Sequence, residues 1–249
     1  MKAIIIAAGR AKRMEHLSEN LPKCLFEVNG RPVLRRQMDT FRACGVIDIV
    51  VIKGYKQELI NYSDARYYIN DDYMNNNILN SLFYAEKEIE GDCIITYGDI
   101  LFNEGVIRKL VASKSDIAAV VDTEWKAHYE NRHAHPVTEA ENVIMDEEHR
   151  LIEIGKIMDK KHAANAEFIG MIKVSGKGAK ILTSEFNRVK KLYGGRPFKR
   201  AAVFAQAYLT DMLQELVDAG YRVDCVPIRD GWMELDTPDD YAAAAKAFA

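Results

Sequence analysis

The sequence predicts an α/β fold: a Rossmann-like, mixed but mainly parallel sheet flanked by helices. The first observation is a series of short apolar runs at residues 2–8, 47–52, 93–97 and 117–121. Each run is continuous rather than alternating, which is typical of a strand buried on both faces. The second observation is that helical patterns separate the early runs, an alternation that places helices on both sides of a parallel sheet.

The elements of the first half follow in order. After the first strand, Leu34, Met38 and Phe41 recur at helical spacing, and Gly45 follows where a helix can stop. The second strand comes next, and residues 80–89 are then predicted to be helical before the third strand begins.

The middle of the chain has a different character. Residues 125–166 are polar and rich in His and Glu, with short apolar pieces at 143–145 and 151–154. We interpret this stretch as an inserted lid or acceptor-binding subregion with short strands, inside a single domain of residues 1–249. Strand character returns at residues 168–174.

The last part of the chain predicts a helix, a strand and a closing helix. An amphipathic helix is expected over residues 203–217, a strand over 223–228, and a final helix from Pro238 into an alanine-rich tail. The apolar positions of the first helix recur at four-residue steps: Phe204, Tyr208, Met212 and Leu216.

Composition excludes several classes of protein. The chain has 249 residues, 48% hydrophobic and 29% charged, which suits an ordinary globular domain. Its net charge of −3 argues against a nucleic-acid-binding protein. No apolar stretch approaches the length that crosses a membrane, and no signal peptide is recognisable, so a cytoplasmic location is expected. The four cysteines are far apart and match no zinc or disulfide pattern.

A candidate phosphate-binding loop follows the first strand. Ala7, Ala8 and Gly9 are small enough for backbone N–H groups to approach phosphate oxygens, and Lys12 and Arg13 follow with positive charge. The segment matches neither the P-loop nor the dinucleotide-binding glycine pattern, so both of those classes lose support. By itself it could equally be a strand-to-helix turn with solvated charges.

Three linked motifs carry a family resemblance. A-A-G-x-x-x-R-M at residues 7–14 is followed by P-K-x-L and then N-G-x-P-x-L. Together they resemble the sugar-phosphate and phosphocholine nucleotidyltransferase superfamily. The resemblance implies that Lys23 contacts the triphosphate or the acceptor phosphate. It also gives Arg13 the position of the family's arginine, which binds the nucleotide and, with Lys23, stabilises the leaving pyrophosphate. Ala11 departs from the pattern, because the family usually has glycine there.

The same resemblance implies a magnesium site. Asp99 follows the strand at 93–97, and Asp236 stands in the run E-L-D-T-P near the C-terminus. Mg²⁺ is commonly held by one or two carboxylates together with phosphate oxygens and water. Taken on spacing alone, Asp99 could instead cap a helix or sit in a turn, and Asp236 could belong to turn chemistry.

A narrower resemblance covers nearly the whole chain. Segments at 48–56, 77–82 and 97–102, and later pieces up to 231–234, resemble the phosphonate and phosphocholine cytidylyltransferases. This implies CTP as the donor. It also implies a small phosphonate or phosphomonoester acceptor, with 2-aminoethylphosphonate favoured over phosphocholine and 2-hydroxyethylphosphonate.

Nucleotide-binding residues follow from this resemblance. Asn77 and Ser81 fall where the family places groups near the pyrimidine, and each can donate and accept hydrogen bonds. The backbone of the Ala7–Gly9 loop and Gly98, beside the metal aspartate, complete the expected nucleotide contacts. Asn77 could also simply cap the helix that follows it.

Acceptor-binding residues are also implied. Lys156 takes the position of the family's acceptor-phosphate lysine. Four other side chains could receive a cationic head group through charge or an aromatic face: Asp122, Trp125, Glu167 and Trp232. The tryptophans could equally be core residues, and a lysine near a short strand is commonly only solvated. His128, His133 and His135 match no common zinc spacing.

The implied reaction is CTP plus acceptor giving a CMP-linked product and pyrophosphate. One alternative is a sugar-1-phosphate nucleotidyltransferase that uses UTP, dTTP or GTP; Trp125 beside Glu124 favours a cationic acceptor instead. A second alternative is a non-catalytic nucleotide-binding regulatory protein. Such proteins commonly lose a metal aspartate or the P-K lysine, whereas this chain has both Asp99 and Lys23. A homodimer is compatible with the sequence but not required by it.

Overall fold

A mixed β-sheet with helices on both faces forms the body of the protein. It is seen in a computed structural model that describes residues 1–10, 21–129, 136–156 and 164–248. The strands are β1 (Lys2–Ala7), β2 (Glu27–Val28), β3 (Arg31–Pro32), β4 (Asp48–Lys53), β5 (Arg66–Ile69), β6 (Cys93–Tyr97), β7 (Ile100–Phe102), β8 (Ile117–Asp122), β9 (Asn142–Met145), β10 (Leu151–Gly155), β11 (Ala166–Val174), β12 (Asp224–Ile228) and β13 (Trp232–Glu234). The α-helices are α1 (Val33–Ala43), α2 (Ile78–Leu82), α3 (Glu104–Ala112), α4 (Gly176–Tyr193), α5 (Leu209–Asp218) and α6 (Pro238–Ala247).

The large sheet has a parallel centre and an antiparallel flank. Within the described ranges it has nine strands, with the path β10-β9-β11-β6-β1-β4-β5, while β8 joins β11 and β12 joins β8. Strand β1 runs parallel to β4 and β6. Strand β5 pairs in parallel with β4, and β12 pairs in parallel with β8. Strand β11 is antiparallel to β6, β8 and β9. The mixed, mainly parallel α/β fold predicted from the sequence is confirmed.

The central strands are buried on both faces, as their continuous apolar runs predict. In β1, Ile4 and Ile6 pack on one side of the sheet, whereas Ala3, Ile5 and Ala7 pack on the other. Helices α2, α4 and α5 contribute apolar side chains to the first side, and α1 and α3 to the second. Successive side chains of a strand point to opposite faces, so a strand between two helical layers needs apolar residues throughout.

The helix predicted over residues 203–217 is wrong in its first part. A short 3₁₀ helix, Phe204–Gln206, is followed by a break, and α5 begins only at Leu209. The carbonyl groups of Ala205 and Ala207 accept hydrogen bonds from the backbone of residues 77 and 79. Because these carbonyl groups accept hydrogen bonds from another segment, they do not take part in the hydrogen bonds of a continuous helix. Tyr208 accordingly adopts an extended backbone.

The other helices show where local patterns succeed and fail. The prediction from Leu34, Met38 and Phe41 is confirmed by α1, and the closing helix is confirmed by α6. The helix predicted over residues 80–89 is instead the short α2 and a 3₁₀ segment, Phe83–Glu88, with a non-helical backbone at Ala85. Strand β5 and helices α3 and α4 were not predicted.

Residues 125–166 contain the short strands predicted for this polar stretch. Strand β9 pairs with both β10 and β11, so these strands extend the central sheet at its antiparallel flank. Glu139 and Glu141 lie just before β9, and Lys156 lies just after β10. The pairing therefore places charged side chains from this stretch beside the ends of the central strands.

Two glycines permit close approaches near the end of β6. A Cβ on Gly98 would lie 2.9 Å from the Cβ of Ala7 and from the carbonyl oxygen of Ile6. Gly170 has a φ of +81°, and a Cβ there would lie 2.4 Å from the ring of Tyr97. Only glycine avoids these overlaps, so the turn after β6 can pack against β1 and the Tyr97 ring can pack on β11.

Candidate active site

A cleft of about 420 Å³ opens beyond the carboxyl ends of β1 and β6. Its volume lies within the range that small-molecule sites usually have. Open α/β sheets bind ligands at this edge, where loops leave the ends of parallel strands. Part of its wall comes from the predicted site: Ala7, Gly9, Lys23, Asn77, Gly98, Asp99, Lys156, Glu167, Trp232 and Asp236. The structure therefore brings ten of the predicted residues together at one cleft.

The phosphate loop begins at the cleft wall. Ala7 and Gly9 line the cleft together with Arg10, which the sequence prediction did not include. Ala8 is buried behind them, and its carbonyl oxygen accepts a hydrogen bond of 3.0 Å from the backbone N–H of Tyr55. Arg13 lies outside the described residues, so its predicted role stays a prediction.

Lys23, Asp99 and Asp236 form one ion-pair network. The Lys23 Nζ donates to Asp99 Oδ2 at 2.8 Å and also to Asp236 Oδ1. The lysine is 9% exposed and lies on a short 3₁₀ helix, Lys23–Leu25, directly after Pro22. One ammonium therefore joins two carboxylates that are far apart in the sequence.

The local backbone explains how the two carboxylates meet. Asp99 occupies the turn between β6 and β7, and Asp236 follows β13. Strand β13 pairs antiparallel with β7, and the backbone N–H of Leu235 donates to the Asp99 carbonyl oxygen at 3.0 Å. The carboxylate of Asp240 accepts hydrogen bonds from the backbone of residues 236 and 237, which fixes the start of α6.

The electrostatics of this network favour a positive charge between the two carboxylates. Burial works against the charged ammonium, but the negative charges of Asp99, Asp236 and Glu234 outweigh it and raise the pKa of Lys23 above its ordinary value. Within the described ranges, no group of three or more His, Cys, Asp or Glu side chains is arranged to hold a metal ion. Two carboxylates nevertheless suit Mg²⁺ when phosphate oxygens and water complete its coordination. The donor set therefore fits a metal that binds together with a triphosphate.

A second charged group lines the cleft around Lys156. Its Nζ lies 2.9 Å from Glu139 Oε2 and 5.3 Å from the ring centroid of Tyr208. Burial works against the charge of Lys156, but Glu139 and Tyr208 outweigh it and raise the pKa of this lysine. Tyr208 lines the cleft because the helix breaks at this residue. Lys156 is thus a partly buried cation on the cleft wall, as an acceptor-phosphate lysine would be.

Glu141 is a cleft carboxyl group with an unusual protonation equilibrium. Its Oε2 accepts a hydrogen bond of 3.2 Å from the Tyr97 hydroxyl. Burial and the negative charge of Glu234 raise the pKa of Glu141 to about 8, although Lys156 and the Tyr97 hydroxyl act in the opposite direction. Perturbed carboxyl groups in clefts are common at functional sites.

Of the two residues predicted to lie near the pyrimidine, only one lines the cleft. Asn77 lies on the wall, but its Oδ1 caps α2 by accepting from the Ile78 N–H at 2.8 Å, so the capping alternative is realised. Ser81 is buried, and its hydroxyl is held by Asn70 at 2.7 Å and by Asn76 at 3.2 Å. Ser81 therefore stabilises the segment that carries Asn77.

Among the predicted acceptor residues, Asp122 and Trp125 are not part of the cleft wall. Asp122 is 0% exposed, and its carboxylate accepts hydrogen bonds of 2.8 Å from the Trp232 indole N–H and the Glu124 backbone. His128 lies 3.2 Å from the same carboxylate. Asp122 thus holds Trp232, whose side chain lines the cleft.

Trp125 and Glu167 lie near this cluster. Trp125 is buried and makes an edge-to-face contact with Tyr129, with ring centroids 6.0 Å apart. Glu167 does line the cleft, and its carboxylate accepts a hydrogen bond from the Tyr129 hydroxyl. His133 and His135 lie outside the described residues.

Several residues of the wall were missed by the sequence prediction: Arg10, Tyr97, Glu139, Glu141 and Tyr208. Tyr97 ends a correctly predicted strand, so its position at the ligand edge was available as a signal. Glu139 and Glu141 lie in a polar stretch where nothing local separates them from other glutamates. Tyr208 was assigned to a helix, which concealed its place in the cleft wall.

Comparisons with known proteins show what the chain is similar to. The model of the MobA-like NTP transferase domain matches residues 3–164. The CTP:phosphoglutamine cytidylyltransferase of Campylobacter jejuni is 28% identical over 96% of this chain and 97% of its own length. The choline-phosphate cytidylyltransferase of Streptococcus pneumoniae is 35% identical over 41% of this chain and 46% of its own. The 2-aminoethylphosphonate cytidylyltransferase of Lancefieldella rimae is 32% identical over 41% and 44%.

Solved structures show the same fold. The CTP:phosphocholine cytidylyltransferase of Streptococcus pneumoniae aligns with a TM-score of 0.73 at 20% identity, covering 100% of this chain and 99% of that one. The inositol-1-phosphate CTP transferase of T. maritima aligns with a TM-score of 0.76 at 21% identity, covering 98% and 95%. None of the described helices is long and apolar enough to span a membrane.

Proposed function

The chain belongs to the MobA-like NTP transferase domain family, a family of nucleotidyltransferases, and from this we propose that it is a magnesium-dependent cytidylyltransferase. It would join CMP from CTP to a small phosphonate or phosphate acceptor and release pyrophosphate. The observation that carries the proposal is the Lys23, Asp99 and Asp236 network at the ligand edge of the sheet. Cytidylyl transfer is supported by the names of the relatives that match the chain.

The mechanism needs positioning more than acid–base chemistry. An anionic oxygen of the acceptor attacks the α-phosphorus of CTP, a new P–O bond forms, and the bond to the pyrophosphate oxygen breaks on the opposite side. No strong base is required, because the acceptor oxygen is already ionised near neutral pH. Lys156 would align the acceptor phosphate, and Lys23 would neutralise charge on the triphosphate. Mg²⁺, held by Asp99 and Asp236, would supply further charge neutralisation when bound.

The acceptor end of the cleft supports a head group that carries a positive charge. Glu139, Glu141, Glu167 and Glu234 line the cleft with Lys156 among them. An ammonium would balance the charge of those glutamates that are ionised and not already paired with Lys156, as in 2-aminoethylphosphonate, which we favour, and in phosphocholine. Phosphoglutamine is a further acceptor to test, because one relative of the chain is a CTP:phosphoglutamine cytidylyltransferase.

Pyrophosphate release tests the proposal. The protein is incubated with Mg²⁺, each of CTP, UTP, GTP and dTTP, and one acceptor at a time. The acceptors are 2-aminoethylphosphonate, phosphocholine, 2-hydroxyethylphosphonate, phosphoglutamine and glucose 1-phosphate. We expect release only with CTP and to be fastest with an amino-bearing acceptor. Release only with UTP and glucose 1-phosphate would establish the sugar-nucleotide alternative, and no release with any mixture would contradict an enzymatic role.

A further inference from the structure

The Lys23 ammonium occupies the position between two carboxylates where a cation belongs. It donates to Asp99 Oδ2 at 2.8 Å and to Asp236 Oδ1, and it is almost completely buried. An ammonium and a divalent metal ion are both cations that bind carboxylate oxygens. Lys23 bonds Asp99 Oδ2 and Asp236 Oδ1, and a metal ion that binds these same two oxygens must take the place of the ammonium.

We propose that Lys23 and the divalent metal ion are alternative occupants of the Asp99–Asp236 pair, so that the nucleotide-free protein excludes the metal and the metal enters with the triphosphate. This inference rests on the proposed function, because it takes these aspartates as the metal ligands. Lys23 then has a role in the resting protein, as an internal counter-ion that keeps two neighbouring carboxylates together.

The charge balance supports competition. With Lys23 in place, the three groups carry a net charge of −1, whereas the two carboxylates alone would carry −2. Neighbouring carboxylates repel each other unless a cation lies between them. Substitution of Lys23 by a neutral residue should therefore leave a pair that binds a divalent cation more tightly, on the order of tenfold or more.

The small number of donors explains the requirement for nucleotide. The described residues contain no group of three or more acidic, His or Cys side chains arranged for a metal. Two carboxylates alone are a weak site for a divalent ion, and a triphosphate contributes the additional oxygens. The negative triphosphate also offers Lys23 new partners, which lowers the cost of leaving the aspartates.

Mn²⁺ binding to the nucleotide-free protein tests the proposal, with free Mn²⁺ measured by electron paramagnetic resonance. Lys23→Ala is compared with the wild type and with Lys156→Ala, which removes the same charge from another part of the cleft. We expect Lys23→Ala to bind Mn²⁺ about tenfold more tightly or better, and Lys156→Ala to change affinity by less than about threefold. The double variant Lys23→Ala with Asp99→Asn should lose the gain.

Three outcomes would overturn the proposal: unchanged or weaker Mn²⁺ binding by Lys23→Ala, no detectable binding by that variant, or an equal gain in both lysine variants. Lys23→Gln is measured in parallel, and circular dichroism establishes which variant is folded. The proposed function is judged separately, by pyrophosphate release from CTP by the wild type. A gain in Mn²⁺ affinity without such release would retain the competition and refute the cytidylyl assignment.

Discussion

The two ends of the cleft differ in how their charged side chains are paired. At the proposed metal end, Lys23 is bonded to both Asp99 and Asp236, so one ammonium is shared by two carboxylates. At the acceptor end, Lys156 is paired with Glu139, while Glu141 is bonded to a neutral tyrosine hydroxyl. The first end is a closed network of charges, and the second keeps a carboxyl group that titrates near neutral pH.

This difference predicts different responses to substitution. Loss of a charge at the metal end should remove the groups that stabilise the transferring phosphate, so turnover falls. Loss of a charge at the acceptor end should change how tightly one substrate binds, with a smaller effect on the chemical step. The following substitutions test that division, from the largest expected effect to the smallest.

The largest effect is expected at Asp99. Asp99→Asn removes one carboxylate of the pair but keeps the shape of the side chain, so turnover should fall about a thousandfold with little loss of folding. Lys23→Ala should behave in the same way. Pyrophosphate release and far-UV circular dichroism measure the two quantities. Asp230→Asn, at an exposed aspartate, is the matched control, and near-normal release by Asp99→Asn would refute the assignment of the metal end.

A smaller and more selective effect is expected at Lys156. Lys156→Ala should raise the KM for the acceptor about 10- to 100-fold, since it removes one charged hydrogen bond to the acceptor phosphate. The KM for CTP should change by less than about threefold. Steady-state kinetics with each substrate varied in turn make the measurement, and the exposed Lys87→Ala is the control. An equal rise in both KM values would mean that the two ends are not separate.

The titration of Glu141 should give a pH dependence of a few-fold. Its carboxyl group has a pKa of about 8, so between about pH 6.5 and 8.5 it becomes ionised and able to pair with an ammonium. The KM for 2-aminoethylphosphonate should fall severalfold over that range, and Glu141→Gln should lose this component. The control is Glu147→Gln, at an exposed glutamate. An unchanged pH profile in Glu141→Gln would exclude a role in acceptor binding.

The same carboxyl group predicts a trend in stability. Its pKa is raised from 4.5 to about 8 in the folded protein, so between these values the folded state binds more protons than the unfolded state. The contribution of Glu141 to the free energy of unfolding therefore falls as the pH rises through this window. Urea unfolding at several pH values should show a shallower decline for Glu141→Gln than for the wild type. A parallel decline in both proteins would contradict the raised pKa.

The smallest effect is expected at Trp232, and it is an effect on stability, because the indole of Trp232 is held by the buried Asp122. Trp232→Phe leaves one carboxylate oxygen without this donor and should lower the free energy of unfolding by about 1–2 kcal/mol. Urea unfolding provides the measurement, and Trp125→Phe is the matched aromatic control. A loss no greater than in the control would show that the Asp122 bond to Trp232 adds little stability.

The two ends also differ in how far the sequence predicted them. Lys23 stands in a short motif and Asp99 follows an apolar strand, so the family resemblance and the sequence pattern singled them out, and both line the cleft. Glu139 and Glu141 have no local signature, and only the pairing of β9 with β11 brings them to the cleft. Asp122 and Trp125 had suitable chemistry, but the fold buries both. Chemical type alone did not predict which side chains reach the cleft.

Helix prediction shows the same limit at larger scale. The amphipathic pattern at residues 203–217 is real, yet its first turn is lost to hydrogen bonds with the backbone of residues 77 and 79. Helix α4 was missed, and it begins with Gly-Lys-Gly, residues whose helix propensity is poor on average. Packing on the sheet compensates, since Ala179, Leu182 and Phe186 are buried against it.

The sequence by itself determined the buried strands, the order of the motifs and the family, because burial on two faces leaves a continuous apolar run and the family motifs are short and local. The resemblance assigned Asp99 and Asp236 to one site, but only the tertiary structure shows how they meet, through the pairing of β13 with β7. It also decided that the break at Tyr208 contributes an aromatic ring to the cleft. The physical reason is that long-range pairing is a competition among distant segments for the same hydrogen bonds and the same buried space, and no short stretch of sequence records its outcome.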